Sequence, residues 1–225
     1  MDFLIYFAVI LLVPLWANRR VKTTYKKYSK IATTANMTGA EVARRILEDN
    51  NIYDVTVKPG RGFLSDHYNP SSKEIVLSPD NYHKMSVAGA AVAAHEVGHA
   101  IQHAEGYAFL KFRSALAPVA SLGSNLSIFL IIGGAILQLT GLYLVGILFF
   151  TAAVLFQFVT LPVEFDASSR AMNQMVSSGI IRNEEEPHAK KVLNAAALTY
   201  VAAALIALLE LMRFIFMFLG MNGEE

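Results

Sequence analysis

The sequence predicts an α-helical membrane protein carrying one small α+β unit, and two observations predict it. Hydrophobic residues make up 54% of the 225-residue chain, too many for a typical soluble domain. They gather in four blocks, residues 3–17, 115–137, 142–161 and 195–219. Between the first two blocks, residues 18–113 are charged and rich in turn residues, with short helix and strand signals in alternation. The whole of 1–225 reads as a single membrane-embedded domain.

Each element has a local cause. The last three blocks approach or exceed the ~20 residues of a bilayer-spanning helix; 3–17 is shorter, and Pro14 interrupts it. A cleaved signal peptide has its positive charge in front of the apolar region. Here Asp2 stands in front, and Arg19, Arg20, Lys22, Lys26, Lys27 and Lys30 stand behind, so the block reads as a retained anchor. Thr38 and Glu41 form a capping box for a helix over 40–49, which Asn50 and Asn51 stop. Residues 53–58 alternate as a strand does, and Pro59-Gly60 turns the chain. Asn69 to Ser72 makes a second turn before another strand, Glu74–Leu77. Ser78 reads as an N-cap with Pro79 at the first helical position. Ser86 caps the next helix and Gly106 ends it.

Lys and Arg favour the cytosolic side of a membrane. The basic stretch after the first block, Lys111 and Arg113 before the second, and Lys190 and Lys191 before the fourth have one common solution. The N-terminus lies outside, and 18–113 and 164–191 are cytosolic. The second and third blocks form a hairpin with an external turn near 138–141. Ser114, Ser121, Ser124, Asn125 and Ser127 give the second block a polarity that suits other helices or a cavity better than lipid. A net charge of +1 gives no reason to expect nucleic acid as a partner. Zero cysteines exclude disulfides and thiolate metal ligands.

The chemistry lies in His95-Glu96-Val97-Gly98-His99, an HExxH motif within the helix capped by Ser86. Histidines four apart share a helix face and can bind one Zn²⁺, while Glu96 is placed to take a proton from an attacking water. That pattern points to amide hydrolysis. A catalytic zinc site of this kind needs a third protein ligand. His103 lies ~12 Å along the helix from His95, too far to share an ion. The segment 161–171, LPVEFDASSRA, returns after the hairpin to the face that holds the motif. Pro162 suits the start of a new helix, with Glu164 in its first turn; Glu164 and Asp166 are both candidates. Helical spacing turns them ~200° apart, so both cannot face one metal.

The stretches AAHEVGHAIQ (93–102), DHYNP (66–70), LPVEFDASSRA and AAALTYVAA (195–203), with the hairpin between, resemble the YugP-type neutral zinc metallopeptidases of bacterial membranes. The layout is more distantly similar to the HtpX-type and CAAX prenyl membrane proteases. The resemblance implies a gluzincin-like zinc-peptidase unit on the cytosolic side of the cell membrane, with His95, His99 and Glu164 as metal ligands and Glu96 as the catalytic residue. The wider group has Asp four residues after the ligand Glu. Here that position is Ser168, which departs from the pattern.

The expected activity is zinc-dependent endoproteolysis, with a peptide or membrane-protein substrate and the bilayer as partners. The alternative is a non-catalytic metal-binding membrane scaffold. Asp80, His83 and Lys84 stand too close before the motif for HExxH to lie within a spanning helix. The strand Glu74–Leu77 could offer an edge to an extended peptide. His188, Arg170 and Tyr200 are open candidates for oxyanion stabilisation, with solvent exposure the default for His188. Glu210 and Arg213 are spaced to pair.

Overall fold

Ser86 begins the central helix as its sequence predicts: its Oγ accepts from the Gly89 backbone N–H at 3.0 Å. In the computed structural model, which describes the backbone of residues 2–222 and side chains of 4–221, the elements run α1 (Asp2–Tyr28), α2 (Gly39–Asp49), β1 (Thr56–Pro59), β2 (His67–Asn69), β3 (Glu74–Leu77), α3 (Pro79–His83), α4 (Val87–Ala104), α5 (Ala108–Ile136), α6 (Thr140–Ser177) and α7 (Glu186–Asn222). Two compact units result: residues to Tyr107 with Val163–Thr199, and Ala108–Pro162 with residues from Tyr200.

In the first unit α4 is enclosed nearly all round. Its Ala-rich sequence suits this, because small side chains let neighbours approach from every side. Val87, Ala90, Ala91, Ala94 and Val97 join Val42 and Ile46 of α2, Ile75 and Leu77 of β3, and Ala171 and Met175 of α6 in one core. The capping box of α2 forms as expected, Thr38 N–H donating to Glu41 at 2.7 Å. At α3, Pro79 does take the first turn, but Ser78 makes no side-chain cap. Its Oγ donates instead to Asp66, which also accepts from the Asn81 amide at 2.9 Å. Gly106 ends α4 in the left-handed conformation, φ +68°.

The sheet has the order β1-β3-β2, with β1 parallel and β2 antiparallel to β3. This corrects three expectations. The first strand begins at Thr56 rather than Tyr53, and a strand forms at His67–Asn69 where the sequence signals only a turn. More consequentially, β3 is central, so both its edges are already hydrogen-bonded and it has none to offer a peptide.

The second unit packs Ile131 of α5, Tyr143 and Ile147 of α6 and Phe214 of α7 into its own cluster. Close approach of α5 and α6 depends on glycine: a Cβ at Gly134 would meet the Tyr143 backbone N at 2.5 Å, and one at Gly146 the Ile131 N at 2.9 Å. Small residues serve apolar helix pairs in this way. Among the polar residues of α5, Ser121, Ser124 and Asn125 are exposed and Ser127 is buried. Glu210 and Arg213 pair as expected, at 2.7 Å.

Four helices, α1, α5, α6 and α7, are long and apolar enough to cross a membrane. At 27, 29, 38 and 37 residues each exceeds both the ~20 required and the corresponding apolar block. Two prolines account for part of the difference. Pro14 lies inside α1 and Pro162 inside α6, so neither bounds an element, and the new helix expected at Pro162 is the continuation of α6. A proline removes one backbone donor, and the remaining turns of a long helix carry on past it. The other part is charge: α1 extends through the basic stretch as far as Lys27, and α7 starts nine residues before the last apolar block, at Glu186.

Candidate metal centre

Three side chains from two helices converge. His95 and His99, one turn apart on α4, have rings 4.8 Å apart at 82°. Their Nε2 atoms lie 3.2 and 3.6 Å from one oxygen, Oε2 of Glu164 on α6. The donor atoms all fall within 4.8 Å of one another, so this group could hold a metal ion. Ligands ~2.0–2.1 Å from a tetrahedral zinc sit roughly 3.3–3.5 Å apart, and two imidazoles with a carboxylate are a zinc-type donor set. The residues present therefore fit the metal. Of the two carboxylates that the sequence left open, Glu164 joins the histidines and Asp166 does not.

The close contact between α4 and α6 depends on Gly98. A Cβ there would meet the backbone O of Ala167 at 2.5 Å. Facing it, Val163, Glu164, Ala167, Ala171 and Met175 make the buried stripe of this part of α6, at the spacing of a packed helix face.

Behind the ligands lies a layer that local motif reading missed. Gln102 is fully buried; its Nε2 donates to Val163 O at 2.8 Å and to Asp166 Oδ2 at 2.7 Å. Both partners can only accept, which fixes which end of the amide is nitrogen. Its Oε1 therefore faces His99 Nδ1, 3.1 Å away, and this nitrogen must carry the proton. Nε2 is then the nitrogen whose lone pair is available to a metal ion, the tautomer a metal ligand needs. Ser168 Oγ stands 3.2 Å from His95 Nδ1, so the serine that departs from the wider pattern still contacts a motif histidine. Asp166 is in turn held by Arg170 at 2.6 Å, and Arg170 reaches Glu105 at 2.7 Å. Two spacings could have revealed this layer: Gln102 is one turn beyond His99, and Ser168 one turn beyond Glu164.

Glu96 is buried, and burial pushes its carboxyl above the ordinary range, against the pull of His95 and His99. Burial acts in the opposite sense on His99, but the contact with Glu164 and the charge of Glu96 outweigh it and raise the imidazole. The remaining candidates have other partners. His103 Nδ1 is 2.7 Å from the Tyr68 hydroxyl, in keeping with its exclusion as a ligand. His188 is half-buried and stacks on Tyr28, with ring centroids 4.9 Å apart, not solvent-exposed as expected.

The described residues thus bring an HExxH helix to a carboxylate on a second helix, a group that could hold a metal ion, in a chain with four helices long and apolar enough to cross a membrane. The chain belongs to the family described as "Putative neutral zinc metallopeptidase", whose model matches residues 3–219. It is 50% identical over 210 residues to "Putative membrane protease YugP" of Bacillus subtilis (strain 168), covering 93% of this chain and 92% of that protein. No solved structure matches the chain.

Proposed function

We propose that the chain is a zinc-dependent endopeptidase that hydrolyses peptide bonds of membrane proteins at the cytosolic face of the cell membrane. One observation carries the reading: the Nε2 atoms of His95 and His99 meet Glu164 Oε2 beside a buried Glu96. Family membership and the name of the Bacillus subtilis relative support proteolysis. The basic residues after the first apolar block support the cytosolic orientation and a multi-pass arrangement.

His95, His99 and Glu164 would hold the ion. When bound, zinc acidifies water and polarises the scissile carbonyl. Gln102 keeps the His99 proton on Nδ1, and Ser168 offers His95 Nδ1 a partner of its own. Glu96 takes the proton of the attacking water and hands it to the departing amine. Its side chain leaves the helix roughly 100° from that of His95, so it can serve the reaction without occupying a ligand position.

Metal content and cleavage of an unfolded membrane-protein substrate, compared in wild type and Glu96→Gln, test this reading. Glu96→Gln should keep its zinc and lose at least the ~10²–10⁴-fold that general-base catalysis supplies. Unchanged cleavage by the zinc-loaded variant would remove Glu96 from the mechanism, and zinc without cleavage in the wild type would leave a metal-binding scaffold.

A further inference from the structure

A second constellation shares no residue with the metal group and lies between α1 and the part of α7, up to Thr199, that belongs to the same unit. There the two helices flank a half-open cavity of about 620 Å³, within the size range of small-molecule sites. Arg20 and Lys27 from α1 and Lys191 from α7 line it, and no carboxylate does. Among the described residues none of these three cations is ion-paired. Three positive charges around one concavity repel each other, and an anion placed among them would relieve that cost. The Thr24 hydroxyl and the Asn194 amide add neutral hydrogen-bonding groups, while Ala195 and Leu198 supply an apolar wall; the Thr23 hydroxyl is committed to Arg19 O at 2.8 Å.

The position of the cavity along both helices selects the anion. On α1 the apolar block ends at Ala17, and Arg20 lies within the next turn. On α7 Lys191 is the last charge before the apolar run that starts at Ala195. Two helices that are each apolar enough to span a bilayer thus pass from apolar to basic at the walls of one cavity. Lipid phosphates lie at that level of a membrane, and basic pockets between spanning helices bind them. Stacking of Tyr28 on His188 joins α1 to α7 at one end of the cavity, and Lys27 lies over the Tyr28 ring, 5.4 Å from its centroid. We propose that this cavity holds the phosphate-bearing headgroup of an anionic phospholipid, with its glycerol end against Ala195 and Leu198.

The test titrates the purified full chain, in a neutral detergent, with short-chain phosphatidylglycerol, phosphatidylcholine of the same chain length, or inorganic phosphate, and reads bound ligand by native mass spectrometry. Phosphatidylglycerol should bind, with the other two at least tenfold weaker. Each cation near a lipid surface is worth about fivefold in affinity, so Arg20→Gln with Lys191→Gln should weaken phosphatidylglycerol by roughly 25-fold, and Lys191→Gln alone by about fivefold. Arg45→Gln, which removes an exposed cation of α2 paired with Asp49, should leave it unchanged. Equal binding of phosphatidylcholine, equal binding of inorganic phosphate, full binding by both cavity variants, or an equal loss in Arg45→Gln would each overturn the assignment.

Discussion

The Oε1 of Gln102 faces His99 Nδ1 at 3.1 Å because the other end of the same amide is committed to Val163 O and Asp166. One side chain thereby links the tautomer of a motif histidine to the helix that carries Glu164. Removing such a partner typically costs 10–100-fold in metal affinity. Gln102→Ala should lower zinc affinity by about that factor while the protein stays folded, measured by competition with a chelating dye. Wild-type affinity in Gln102→Ala would show that the tautomer is fixed by some other group.

Gly98 presents two opposed effects. Replacing a mid-helix glycine by alanine usually stabilises by roughly 0.5–1 kcal/mol, whereas overpacking costs ~1–3 kcal/mol. With a backbone oxygen 2.5 Å from the added Cβ, relief requires moving a helix, so overpacking wins. Gly98→Ala should be less stable in denaturant unfolding and bind less zinc, since α4 and α6 must separate where the ligands meet. A stabilised, fully zinc-loaded variant would contradict the packing described.

How much of this is readable from the chain depends on the range of the interaction. His95, Glu96 and His99 sit on one helix, and the caps at Thr38 and Ser86, the stop at Gly106 and the strand Glu74–Leu77 rest on neighbouring residues; all were legible. Pro162 misled, because proline signals a helix start and an interior position equally, and the continuity of α6 rests on turns on both sides of it. The central place of β3 was hidden, since sheet order is set by pairing between distant segments and β2 is only three residues long. Gln102 went unnoticed and Ser168 stood out only as a departure from the wider group's pattern, because neither residue type signals a contact with a histidine. Their significance comes from which face of α4 meets which face of α6.

Orientation can be read in intact cells. With the basic residues after the first apolar block held in the cytosol, a cysteine at Ser71 should be protected from a membrane-impermeant thiol reagent, and one at Thr140 should be labelled. The native chain has no cysteine to interfere. Labelling at Ser71 with protection at Thr140 would invert the topology.

Zinc stoichiometry of Glu164→Ala beside Asp166→Ala tests the central claim most directly. Glu164 Oε2 is the atom both Nε2 groups approach, while Asp166 is engaged with Gln102 and Arg170. The account predicts that Glu164→Ala purifies without zinc and without activity, and that Asp166→Ala keeps most of its zinc because Gln102 retains Val163 O. Zinc retained in Glu164→Ala and lost in Asp166→Ala would contradict it.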